Sequence, residues 1–315
     1  WPATMAMAGD AAADGARNGL PLSAPSDQAE PLLRCKTDYT RLITKMLGAI
    51  CMREKQAVLS GPIAWCQAGP GGLRFTTEEG AALQARVYLP DELFREYVYG
   101  ELEPYTFGVN LGATMECLRI LDGGKGSSLS SPPSLYVRFM EQDAVLSLTL
   151  VEGTVVTECE IQTLENGQPT VHGAGSTSQS CRVVMKADVL REGLLELDWG
   201  DPTQRDKVIG LSVTAADSTM RMTVRNADCG CEMAFPAEAT TRFDATEDVS
   251  QAYRLSALQA VARALQSAEE ACIRVMHGGE LNVMVRMAEG GKTGYVEFFV
   301  SPLDEGYDED QDGFG

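Results

Sequence analysis

Apolar residues recur along this chain with two different periods, and the points where the period changes mark out its elements. From Tyr105 the sequence alternates, Tyr105-Thr-Phe107-Gly-Val109, as a half-buried strand does. At Asn110, a good helix-starting residue, the period lengthens. Leu111, Met115, Leu118 and Leu121 then place four apolar side chains on one side of a short helix. The same change recurs three times. Leu32–Lys36 reads as a strand ahead of a helix over Tyr39–Ile50, with Asp38 as its N-cap. Cys181–Met185 precedes a helix over Lys186–Asp198, whose core side carries Leu190, Leu194 and Leu197. Ala252–Leu255 leads past a capping Ser256 into a helix ending near Gln266, striped by Leu258, Val261, Ala262 and Leu265.

Short alternating runs bounded by Gly and Pro predict strands between the helices. In the first half these are Ala57–Leu59, Ala64–Ala68, Leu73–Thr77, Ala82–Leu89, Leu135–Met140, Ala144–Val151 and Thr154–Gln162. In the second they are Val208–Thr214, Met220–Arg225, Cys231–Phe235, Cys272–His277, Leu281–Met287 and Gly294–Val300. Pro90–Tyr97 reads as a connecting segment. The helices start near residues 39, 110, 186 and 256, so the first and third lie 147 residues apart and the second and fourth 146. One unit is written twice. This predicts an α+β fold of two pseudo-repeated domains, each with antiparallel sheets covered on one face by two short helices. The expected boundaries are a disordered leader over 1–30, a first domain over 31–163 and a connecting loop over 164–180. A second domain over 181–303 and an acidic tail over 304–315 complete the chain.

Composition narrows the function. The 315 residues carry a net charge of −19, so contact with nucleic acid has to come from a local basic surface. The first predicted helix offers one: Arg41, Thr44, Lys45 and Gly48 recur at helical spacing opposite its apolar face. No window approaches the ~20 consecutive apolar residues of a membrane-spanning helix, so no membrane partner is expected. The leader lacks a secretory apolar core and the arginine richness of a transit peptide, and it starts at Trp1 rather than Met. Nine cysteines, single except for Cys229-Gly-Cys231, read as reduced intracellular thiols. With only His172 and His277 to help them, no metal site and no cofactor are expected.

The catalytic motifs fail one by one. Gly291-Lys292-Thr293 mimics the end of a phosphate loop, but Arg286 stands where the earlier glycine belongs, and the segment lies between strands as a turn. Gly123–Gly126 lacks the following Ser or Thr. A metal-dependent nuclease needs positioned carboxylates, yet Asp-x-Glu occurs nowhere, and Asp308–Asp312 sit in a tail with no apolar scaffold. The pairs Glu101/Glu103 and Glu158/Glu160 alternate along predicted loop or strand. No active site assembles.

Five stretches together resemble a known family: Phe107–Leu121 (FGVNLGATMECLRIL), Glu152–Thr163 (EGTVVTECEIQT), Leu190–Asp198 (LREGLLELD), Tyr253–Leu258 (YRLSAL) and Tyr295–Pro302 (YVEFFVSP). They stand in order across roughly residues 31–305. With the four-helix pattern they resemble the sliding clamps typified by proliferating cell nuclear antigen. Locally they are similar to the Rad-one subunits of the nine-one-one DNA-damage checkpoint clamp. The resemblance implies a non-catalytic, nuclear subunit of a heterotrimeric ring with Rad-nine-like and Hus-one-like partners. A checkpoint clamp loader would place the ring on double-stranded DNA at damage sites, where it would scaffold signalling and repair proteins. It also implies that the helices line the hole, with Arg41, Lys45, Arg119, Lys186, Arg191 and Arg263 meeting phosphates without reading sequence. Asp188, Glu192 and Glu196 offset Lys186 and Arg191, so contact should be weak and salt-sensitive. Subunits of such clamps join by edge strands. The matching edges here hold Thr154, Val156, Glu158 and Glu160 in the first half and Cys231, Met233 and Phe235 in the second. Client peptides would dock beside Phe299 and Pro302, beneath linker residues 164–179. Two other classes stay open, a 3′→5′ exonuclease acting on DNA and a homotrimeric replication clamp.

Overall fold

The structure is a computed structural model that describes residues 30–52, 61–120, 133–165, 167–170, 178–198, 207–226 and 229–303. The predicted strand Ala57–Leu59, nearly all of the leader, the Gly123–Gly126 loop and the acidic tail lie outside the described residues.

The first half runs β1 (Leu33–Thr37), α1 (Thr40–Ile50), β2 (Ile63–Gly69), β3 (Gly72–Glu79), β4 (Leu83–Pro90), a 3-10 turn at Asp91–Leu93 and β5 (Glu96–Tyr99). It continues with β6 (Tyr105–Asn110), α2 (Leu111–Arg119), β7 (Ser134–Met140), β8 (Val145–Glu152) and β9 (Val155–Leu164). The second half repeats that order element for element: β10 (Gln179–Lys186), α3 (Ala187–Glu196), β11 (Val208–Thr214), β12 (Thr219–Arg225), β13 (Gly230–Pro236) and a 3-10 turn at Ala237–Ala239. Then come β14 (Arg242–Ala245), β15 (Val249–Arg254), α4 (Leu255–Leu265), β16 (Glu270–Met276), β17 (Leu281–Glu289) and β18 (Lys292–Val300).

The pairing repeats as well. The order β5-β1-β7-β8-β9 matches β14-β10-β16-β17-β18, and β4-β3-β2-β6 matches β13-β12-β11-β15. All of these ladders are antiparallel. The halves are sewn together by β18 on β4, from Val296 opposite Val87 to Val300 opposite Leu83. A short bridge of β6 to β9 joins the two sheets of the first half at Gly108–Leu164 and Val109–Thr163.

Alternation explains why these segments are strands. In β7, Leu135, Val137 and Phe139 are buried while Tyr136 and Arg138 face out. Phe139 stacks on Phe107 with ring centroids 4.1 Å apart, and fully burying a side chain of that size contributes about 1.5–3 kcal/mol. The helices lie on the inner face. Helix α1 turns Leu42, Ile43, Met46, Leu47 and Ile50 into the core and packs on β3, β4, β17 and β18. Contacts run in the order α2, α1, α4, α3, so the four helices form one continuous row. At the hairpin Gly290–Gly291, both residues have positive φ (59° and 80°), the backbone that a two-residue turn between strands needs. The phosphate-loop mimic is indeed a turn.

Several local expectations change. Asn110 does cap α2, its Oδ1 accepting from the Ala113 N–H at 3.0 Å. Asp38 does not cap α1: Tyr39 holds that position without a side-chain bond, and the Asp38 carboxylate accepts from Ser134 Oγ and pairs with Arg95. Ser256 lies inside the first turn of α4, behind an uncapped Arg254. Thr44 belongs to the buried flank of α1, where its hydroxyl bonds back to the Thr40 carbonyl at 2.9 Å. The expected connecting segment at 90–97 holds a 3-10 turn and enters β5, and its counterpart β14 had no sequence signal. Both strands are four residues long and sit at sheet ends, where one neighbouring strand and little apolar burial leave almost no periodicity.

Candidate functional site: helix faces, open edges and outer groove

Three surfaces hold the residues singled out by the sequence. The first is the face of the helix row turned away from the sheets. Arg41, Arg119, Lys186 and Arg263 are exposed there and Arg191 is half-buried, none with an ion-pair partner among the described residues. Arg191 and Arg263 line one cleft of about 270 Å³ between α3 and α4, together with Asp198. Lys45 differs. Its ammonium is paired with Glu289 at the β17–β18 turn, so part of the basic character expected of α1 is neutralised in place. Glu116, Asp188, Glu192 and Glu196 are exposed on the same helices.

The second surface is a pair of sheet edges. Among the described residues, β13 is hydrogen-bonded only to β12, and β9 has β8 on one side and just the two-residue bridge on the other. Val156, Glu158 and Glu160 are exposed on β9, whereas Thr154 lies in the turn before it. Cys231 and Met233 are half-buried on β13. Phe235 points inward, and its ring packs so closely on Gly193 of α3 that a Cβ there would lie 2.6 Å from Phe235 Cζ. Only its backbone belongs to the edge. Cys159 of β9 touches Cys117 of α2, whose thiol is pushed up to about 11 by burial first and by its hydrogen bond to Cys159 second.

The third surface is the outer face of the sheet, opposite the helices. The start of the linker is tied down across the first half. A Cβ on Gly167 would stand 1.7 Å from the Trp65 indole, so only glycine allows that approach. The Thr170 N–H donates to Glu78 Oε1 at 2.8 Å, and Gln84 Nε2 donates to both the Thr170 carbonyl and Glu78. Gln84 is paired with Phe299 on the next strand. Phe299 is only 7% exposed, with the Arg86 guanidinium 4.3 Å above its ring. Arg86 is shifted below the ordinary arginine value, by burial first and then by Arg74. Pro302 lies between two anchors, Ser301 N–H on the Ala82 carbonyl and Leu303 N–H on Ala252. A cleft of about 280 Å³ opens beside Trp65 and Glu78. Trp65, Gln84 and Arg86 escaped the sequence reading; the outward positions of the predicted strands were the signal that could have found them.

One cluster has the residue types of a hydrolase centre and the wrong geometry. Ser180 Oγ and Glu247 Oε1 both approach Nδ1 of His277, at 2.7 and 3.1 Å. A relay needs nucleophile and carboxylate on opposite ring nitrogens.

Residues 32–287 match the family model described as Repair protein Rad1/Rec1/Rad17. The chain belongs to the Rad1 family. Curated relatives agree. The mouse cell cycle checkpoint protein RAD1 is 27% identical over 85% of this chain and 91% of its own length. The human one is 25% identical over 85% and 90%, and the fission yeast DNA damage checkpoint control protein rad1 is 23% identical over 74% and 77%. Among solved structures, the proliferating cellular nuclear antigen of Entamoeba histolytica superposes with a TM-score of 0.68, at 12% identity, over 87% of this chain and 99% of that one. The PCNA2–PCNA3 complex of Sulfolobus tokodaii gives 0.64, at 12% identity, over 85% and 98%. The fold of this Rad1-family chain is therefore the sliding-clamp fold, as the paired sheets and four helices of the sequence repeat anticipate.

Proposed function

We propose that this chain is a non-catalytic subunit of a heterotrimeric ring clamp that encircles DNA at damage sites in the nucleus. There it scaffolds checkpoint signalling and repair proteins. The partners are Rad-nine-like and Hus-one-like subunits, and a checkpoint clamp loader closes the ring on DNA. The helix row faces the duplex, with Arg41, Arg119 and Arg263 meeting phosphates and Lys45 contributing less because Glu289 holds it. The groove beside Phe299 and Pro302 receives client peptides.

The observation that carries this reading is the seam inside the chain. β9 stands where β18 stands in the other half, and β13 where β4 stands. The hairpins align Val155 with Lys292, and Pro236 aligns with Pro90, each ahead of a 3-10 turn. Carrying the β18–β4 register over places Cys159 opposite Met233 and Ile161 opposite Cys231. It also places Glu160 opposite Glu232, where the internal seam has Glu297 opposite Arg86. Two copies of this chain would face like charges across the joint, which is destabilising. A different subunit with Lys or Arg at that position restores the internal pattern. Edge chemistry thus favours unlike partners over a homotrimer.

Size-exclusion chromatography of the chain alone and coexpressed with the two partner subunits tests this. Alone it should elute as one 33.9 kDa chain, and coexpression should move it into a single larger peak. A self-assembled trimer of about 100 kDa would overturn the proposal. Glu160→Arg, which sets an opposite charge across from Glu232 with the polarity of the internal pair reversed, should raise self-association and weaken the mixed ring.

A further inference from the structure

The outer face of the second half has unfinished polar chemistry. One row of side chains crosses six strands: Arg182 on β10, Arg274 on β16, Asn282 on β17, Phe299 on β18, Gln84 on β4 and Glu78 on β3, each directly opposite the next. Arg182 Nε, Arg274 Nε and Asn282 Oδ1 are all buried without a hydrogen-bond partner among the described residues, and Asn282 as a residue is only 4% exposed. Buried groups left unpaired carry the full cost of losing water, so three opposite one another in one row need a reason.

Charge makes the row stranger. Arg182 and Arg274 are like charges directly opposite each other. The first half has the same pair at the same positions, Arg34 opposite Arg138 on β1 and β7. There the Arg34 side chain is 58% exposed and bonded to Glu96 of β5 at 2.9 Å. The counterpart of Glu96 on β14 is Arg242, which itself holds the neighbouring Asp244. In the second half the local carboxylates are thus committed: Asp244 to Arg242, and Glu297 to one Nη of Arg274 at 3.3 Å. The remaining donors point to an absent acid.

We propose that Arg182, Arg274 and Asn282 form a subsite for a carboxylate side chain of an extended partner segment whose apolar residue sits at Phe299. This rests on, and deepens, the reading of the Phe299 groove as the client site. The two guanidiniums donate to the carboxylate, and Asn282 Oδ1 accepts a backbone N–H of the same segment. Both Nε atoms are shielded in the free chain, so the site is latent and the acid draws the guanidiniums outward. Arg274 lies two strands from Phe299 and Arg182 three. At about 4.8 Å per strand this is about 10–14 Å, or three to four residues of extended chain. The segment therefore carries Asp or Glu three to four residues from its apolar anchor.

Fluorescence polarisation with the full chain tests this, using a twelve-residue peptide with a Phe-Phe anchor and aspartates three and four residues away. The probe is compared with its asparagine analogue. The aspartate peptide should bind at least tenfold more tightly. Arg182→Ala with Arg274→Ala should equalise the two peptides, and Phe299→Ala should weaken both. If the alanine pair melts early, Arg182→Lys with Arg274→Lys keeps the charge without Nε–H and should still reduce the preference at least threefold. Equal binding of both peptides, lost on Phe299→Ala, would sink the arginine subsite and leave the groove standing. A preference unchanged in both double variants would also sink the subsite. Absence of binding by either peptide would overturn both readings. Binding of the acidic peptide only after truncation beyond Leu303 would assign the arginines to the protein's own acidic tail and overturn the proposal.

Discussion

β9 and β18 occupy the same place in two copies of one topology, yet one is an open edge and the other an internal seam. The inward sides explain the difference. β18 presents Val296, Phe298 and Val300, all fully buried, to a partner strand in the same chain. β9 presents Thr157, Cys159, Ile161 and Thr163, of which only Ile161 is buried, and turns Glu158 and Glu160 outward. A repeat in topology therefore does not imply a repeat in surface chemistry. The seam supplies the register for the open edge, and the charges on that edge select who can complete it.

Substitutions on the two strands would test that contrast most sharply. Phe298→Ala should destabilise the chain by about 3–5 kcal/mol in urea denaturation, because a fully buried aromatic leaves a cavity. Ile161→Ala, at the matching position, should cost less than half as much and should instead weaken ring assembly. Equal losses on both strands would erase the distinction between seam and edge.

Alkaline titration separates the halves next. Burial pushes Cys35 up to about 12 and Cys66 well above its ordinary value of 9.0. Val183 replaces Cys35 in the second half. A thiol raised on folding supports the fold fully below pH 9, and that support is lost as pH rises towards 12. Stability by thermal melting should fall over that window, and Cys35→Val should flatten the fall. An unaltered alkaline limb in the variant would contradict it.

Helix starts give a smaller difference. Asn110→Ala removes the side-chain cap of α2 and should cost about 1 kcal/mol. Ser256→Ala in α4, which has no side-chain cap, should stay within about 0.5 kcal/mol. The smallest effect is expected on DNA. Arg41→Glu in the assembled ring should lower the salt dependence of retention by about one phosphate contact. Lys45→Glu should do less because Glu289 already neutralises Lys45. The reverse ranking would count against the helix-face assignment.

The repeat was legible because long amphipathic runs such as Leu111–Leu118 and Val208–Thr214 carry their period in sequence. The helix starts near 39, 110, 186 and 256 fall within one residue of those observed. Caps were less legible. Asp38 and Ser256 have the chemistry of N-caps, but bonds to Ser134 and Arg95, distant in sequence, claim Asp38, and α4 begins one residue before Ser256. The candidate site was legible only in part. Arg41, Arg119 and Arg263 were found as helical faces, whereas Trp65, Gln84, Arg182, Arg274 and Asn282 are outward strand positions that look like ordinary solvated residues.

By itself the sequence determined the period of every long element, the doubling of the unit and the sign of its surface, since these follow from local spacing and composition. The tertiary structure alone decided which edges close and which stay open. It also decided that Lys45 is spoken for and that Arg182 and Arg274, about ninety residues apart, face one another with Glu297 bonded to Arg274. Strand register and charge neighbourhood are set by residues far apart in the chain, and no local pattern records them.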